Sequence, residues 1–109
     1  MNSSLITVAQ SQLDAAREAS SGRASATVFG GHEQSLRQTV IALVAGQGLQ
    51  EHESPGEATL QVLQGQVELR ADDVTWSGSS GDLLVIPDAR HSLAAVEDSV
   101  VLLTVVKSG

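Results

Sequence analysis

The sequence predicts an all-β domain preceded by one helix. Three observations carry that prediction. Short apolar runs are separated by turn residues about every eight to twelve positions from residue 26 onward. Several runs alternate apolar and polar residues with period two, the mark of a half-buried strand. Aromatic residues are almost absent, with Phe29, Trp76 and no Tyr, so the interior must be built from Val, Leu, Ile and Ala. A chain of 109 residues is long enough for one hydrophobic core and too short for two, which gives a single domain over 1–109.

The elements follow in order. Residues 7–21 read as a helix, with Thr7 and Gln10 spaced as a capping box and Gly22 placed to stop it. Leu13, Ala16 and Arg17, with Val8 and Ala9 before them, give that helix a weak apolar stripe suited to lying on a sheet or at a subunit contact. The β region spans 26–106. ATVF (26–29) ends at Gly30-Gly31, LRQTVIALVA (36–45) at Gly46-Gln47-Gly48, and LQEH (49–52) breaks at Pro55-Gly56. ATLQVL (58–63) turns at Gly65, VELRA (67–71) at Asp72-Asp73, and VTWS (74–77) at a Gly/Ser cluster. DLLVI (82–86) stops at Pro87, HSLAAV (91–96) at Glu97-Asp98, and SVVLLTVV runs over 99–106. The runs at 40–44 and 100–106 are apolar on both faces, so they are expected to be central strands or to be covered by a partner. A homodimer is predicted on that ground.

Composition removes several classes of function. The net charge is −7 and the six basic residues are scattered, which argues against nucleic acid, whose phosphates need clustered Lys and Arg. There is no cysteine, hence no disulfide framework, thiol nucleophile or thiolate ligand. No apolar run approaches the ~20 residues of a membrane span, and the N-terminus lacks the basic and apolar regions of a secretory signal. A cytoplasmic protein with no membrane partner is the expectation. No phosphate loop, dinucleotide fingerprint or nucleophile elbow is present.

Two spaced motifs remain. Gly46, His52, Ser54, Ala58 and Gly65 form the first; Gly81, Pro87, Ala89 and His91 form the second. Over residues 36–106 they resemble the two motifs of the cupins, whose fold is a double-stranded β-helix, or jelly-roll barrel. The resemblance implies a barrel in which three His and one Glu converge on a divalent transition metal. In this sequence Ser54 stands at the second His position and Ala58 at the Glu position. His91 comes one residue early, and the glycine before it is Ala89. The site is therefore a reduced one.

Parity places His91 with Leu93 and Ala95, which directs it into the barrel. His52 and His91 are the two ligand positions retained. Glu57, one residue before the lost Glu, and His32, in a Gly-rich segment, are the candidates for a third metal ligand. Two imidazoles alone would hold a metal weakly, since catalytic sites normally supply three protein ligands. Small residues at 54 and 58 would widen the mouth, favouring a small organic ligand bound by His52, His91, Ser54 and a cation. Arg37 and Arg90 are the cationic groups expected near that mouth, and Arg90 is the one expected to meet a ligand carboxylate.

The first functional expectation is a binding module that takes a small molecule in the barrel with at most weak metal association. The second is a metal-dependent enzyme of dioxygenase or isomerase type with a third ligand beside His52 and His91. A third is a structural homodimer with a filled barrel.

Overall fold

A computed structural model describes residues 3–52 and 56–106. The helix α1 covers Leu5–Glu18, and nine strands follow: β1 (Arg23–Phe29), β2 (Leu36–Leu43), β3 (Gly48–His52), β4 (Ala58–Gln64), β5 (Gln66–Ala71), β6 (Val74–Ser79), β7 (Leu83–Val85), β8 (His91–Ala95) and β9 (Ser99–Val106). All pairings are antiparallel. They build a five-stranded sheet in the order β1-β2-β9-β4-β7 and a four-stranded sheet in the order β3-β8-β5-β6.

The helix starts two residues before the predicted 7 and ends three before the predicted 21. The reason lies in the cap. Ser4 has extended backbone and its hydroxyl accepts the Thr7 N–H at 3.3 Å, so the first turn forms ahead of Thr7. At the other end Ala19 leaves the helical region, and Gly22 (φ +68°) serves the following turn rather than the helix terminus. β1 begins at Arg23, not 26. Its Ala24 and Ala26 pair in register with Ala42 and Val40, and alternating small residues are a weak strand signal in sequence.

The two faces of the five-stranded sheet explain its apolar central strands. On one face Ile41, Leu43, Leu60, Val62, Val101 and Val105 pack against Val67, Leu69, Leu93 and Ala95 of the opposite sheet. On the other, Val40, Ala42, Val100 and Leu102 are covered by Ala9, Leu13 and Ala16 of α1. Two alanines flank Leu13 in that stripe, which lets the helix backbone sit close to the sheet, and burying Leu13 contributes about 2 kcal/mol. The chain's own helix covers Val40, Ala42, Val100 and Leu102 within the two runs on which the dimer was predicted.

Alternation holds where the sequence showed it. Val67, Leu69 and Ala71 are buried, while Arg70 on the opposite face is exposed. The interior is aliphatic, and both Phe29 and Trp76 are exposed at the surface. Ser99 is a fully buried hydroxyl; it accepts the Gln66 N–H at 3.1 Å and faces the carbonyls of Glu97 and Gln66 at 2.7 and 3.0 Å. That contact ties the start of β9 to the β4–β5 turn. Among the described residues no helix is long and apolar enough to cross a membrane.

Candidate functional site

The site is made where β3 runs beside β8. Gly48 pairs with Ala94 and Leu49 with Leu93, but the next pair is His52 with His91. Three steps on β3 therefore match two on β8, so β3 carries one extra residue, a bulge. The bulge matters because side chains alternate along a strand. Counted strictly from the inward Leu49, His52 would face out; the extra residue turns it to the side of His91. Close approach of the two strands depends on Gly48, since a Cβ there would run into the Leu93 carbonyl oxygen and lie 3.1 Å from the Ala94 Cα.

The two imidazoles meet. Their ring centroids are 4.4 Å apart and the planes cross at 60°. His91 is 3% exposed, whereas His52 lies toward solvent. Each ring is tethered two residues back along its own strand: His52 Nδ1 lies 2.8 Å from the Gln50 oxygen and His91 Nδ1 2.9 Å from the Ala89 oxygen. A carbonyl can only accept, so Nδ1 carries the proton in both rings. In the neutral tautomer this leaves Nε2 of each ring as an acceptor.

Behind the pair is a cavity of about 30 Å³ whose described lining is otherwise aliphatic: Ile41, Leu49, Leu60, Leu69, Ile86, Leu93 and Leu103. A space of that size takes a water or a methyl-sized group. Ordinary small-molecule pockets are roughly ten times larger.

The remaining predicted residues fall in different places. Ser54 lies outside the described residues. Ala58 is buried at the start of β4, with its carbonyl accepting the Ile86 N–H at 3.1 Å. Glu57 is exposed and lines a separate surface groove with Val85, Ile86 and Asp88. His32 is exposed in the turn between β1 and β2. The Arg90 guanidinium donates from Nε to Glu51 Oε1 at 3.0 Å, so the carboxylate it meets is the chain's own. Both side chains are more than half exposed, and such a pair stabilises by at most about 1 kcal/mol.

A divalent metal is what the fold's resemblance implies here, and the donor set can be tested against it. Two imidazoles with carbonyl-tethered Nδ1 atoms have the form of metal-ligating histidines. Among the described residues, however, no group of three or more His, Cys, Asp or Glu stands together to hold an ion. The described residues do not fit the three-ligand centre of a catalytic metal.

No protein-family profile matches the sequence, and no curated protein matches it. Solved structures do. A conserved protein of unknown function from Streptococcus pyogenes is 35% identical over 84% of this chain and 79% of its own, with a TM-score of 0.73. An RmlC-like cupin from Desulfovibrio desulfuricans is 28% identical, covering 77% of this chain and 81% of its own, with a TM-score of 0.67. A cupin superfamily protein from Desulfitobacterium hafniense is 18% identical with a TM-score of 0.72, over 79% of this chain and 78% of its own. The class is thus a small two-sheet β protein with one helix packed outside. Its fold is that of the cupin superfamily structures it matches.

Proposed function

We propose that this chain is a binding module on a jelly-roll barrel whose metal motif is reduced, and that its ligand is a small molecule offering a hydrogen-bond donor to His52 and His91. One observation carries the reading: two imidazoles in ring contact, each with Nδ1 committed to a backbone carbonyl and Nε2 left as an acceptor beside an aliphatic cavity. Such a pair suits a hydroxyl or ammonium group on a compact ligand. A metal-dependent enzyme would need a third ligand that the described residues do not bring to the pair.

The test is metal analysis of protein purified without an affinity tag, followed by titration with Zn²⁺ and Ni²⁺. The reading expects far less than one metal per chain and no change in the spectra of His52 and His91 at equimolar metal. One bound transition metal per chain, lost in His52→Ala, would contradict it.

A homodimer remains part of this proposal, but on a different surface. Beyond the cover of α1, one row across the five-stranded sheet reads Phe29, Gln38, Thr104, Thr59 and Val85, with Leu36 paired to Val106 beside it. These seven residues are uncharged in a chain of net charge −7, so two copies approach there with the least repulsion. Sedimentation at micromolar concentration is expected to give twice 11.3 kDa in wild type and the monomer in Val85→Glu; a wild-type monomer contradicts the dimer.

A further inference from the structure

We infer that the ligand of the His52–His91 site is a small hydroxycarboxylate, with its carboxylate held by Arg37 and its hydroxyl donated to an imidazole. The inference rests on the binding-module reading and adds the ligand class and the residue that selects it.

The register places Arg37. It pairs with Val105 on β9, and Val105 pairs with Ala58 on β4. Val105 and Ala58 are both buried in the core between the sheets, and cross-strand partners share a face. The Arg37 side chain therefore starts on the inner face of its sheet, yet it is exposed, because this row is where the core gives way to solvent. Ile86, which bonds to the Ala58 carbonyl in the same row, lines the cavity behind the histidines. Arg37 thus stands on the rim of the wall that faces them.

Its electrostatic position is unusual for this molecule. The chain holds thirteen acidic residues against six basic ones, so a guanidinium has many carboxylates to choose from. Arg17 takes Asp14 and Asp98, and Arg90 takes Glu51. Arg23 donates to the Gly48 carbonyl and Arg70 to the Thr75 hydroxyl. Arg37 alone among the described arginines has neither a hydrogen bond nor an ion pair. Of the acidic residues at this end, Glu57 and Asp88 line a groove beside β4 and β7. That is two to three strands from β2, or about 10 to 14 Å at ordinary strand spacing. Neither carboxylate pairs with Arg37, which leaves its guanidinium open to an anionic group.

The chemistry of the two donor sets then differs. A guanidinium offers N–H donors to a carboxylate, whereas neutral imidazoles tethered through Nδ1 offer only acceptors. A plain carboxylate satisfies the first and meets lone pairs at the second. A ligand carrying both a carboxylate and a hydroxyl satisfies both. The cavity of about 30 Å³ limits the apolar part to one or two carbons.

Titration with glycolate, its neutral isostere glycolamide, and acetate tests this, with the Hε1 resonances of His52 and His91 as the readout. Glycolate is expected to shift both resonances saturably. Glycolamide and acetate should each bind about tenfold or more weakly, the fold-change of one charge-assisted or neutral hydrogen bond lost. In Arg37→Gln, glycolate should fall to the level of glycolamide, while glycolamide binding stays within about twofold of wild type. Equal binding of glycolate and glycolamide by wild-type protein would overturn the inference and leave the binding-module reading standing. Failure of all three to move either histidine would overturn both.

Discussion

His52 and His91 lie opposite one another on β3 and β8 with their rings 4.4 Å apart, although 38 residues separate them in the chain. One of the two belongs to the core and the other to the surface. Removing His91 deletes a ring that is 3% exposed together with its bond to the Ala89 carbonyl, and leaves a hole among Leu60, Ile86 and Leu93. His91→Ala is expected to destabilise by about 2 to 3 kcal/mol, and His52→Ala by less than about 1 kcal/mol. Urea denaturation of the two variants measures the difference; equal losses would mean that the burial of the pair is misassigned.

The alignment of the rings depends on how closely β3 lies against β8. Gly48→Ala places a methyl group against the Leu93 carbonyl, so the strands must separate at the bulge that directs His52 inward. A loss of about 3 kcal/mol is expected, together with loss of the inter-ring nuclear Overhauser effect. A folded Gly48→Ala protein with that effect intact would show that the bulge tolerates a wider spacing.

At the far side of the molecule Asp98 joins three elements. Its carboxylate accepts the Ala45 N–H at 2.9 Å and the Arg17 Nε–H at 3.0 Å. The backbone bond to Ala45 first, and Arg17 second, hold its pKa below the ordinary aspartate value. A carboxyl depressed in the folded state adds stability that is complete above its unfolded pKa and fades as pH falls through the folded one. Stability should therefore fall as the pH drops below the ordinary aspartate value of 3.8, and Asp98→Asn should reduce that fall while lowering stability at pH 7. Thermal melting across that range checks it. An unchanged acid limb in Asp98→Asn would assign the pH dependence to other carboxylates.

The strands could be read from the sequence because their signals are local. The predicted β7 and β8 at 82–86 and 91–96 are within one residue at each end of Leu83–Val85 and His91–Ala95, since Asp82, Pro87 and Glu97 punctuate them. The inward direction of His91 was equally legible, because Leu93 and Ala95 share its parity and are buried with it. His52 was placed beside it only through the motif resemblance, because a bulge in β3 has no composition of its own and only pairing with β8 exposes it. The cover over Val40, Ala42, Val100 and Leu102 was hidden for a similar reason. A stripe of Ala9, Leu13 and Ala16 looks too thin to bury two strands until the short side chains let the helix settle close. Arg37 could be named as a rim cation from sequence, but its lack of a partner, and the pairing of Arg90 with Glu51, required the fold.

Both imidazoles present Nε2 as an acceptor beside the cavity while Nδ1 is tethered to the backbone. Two-bond ¹H–¹⁵N correlation of the histidine rings near pH 8 tests it most directly. Protonated Nδ1 and unprotonated Nε2 in both His52 and His91, with a nuclear Overhauser effect between the rings, is the predicted result. Protonation at Nε2 in His91, or the absence of any contact between the two rings, would contradict it.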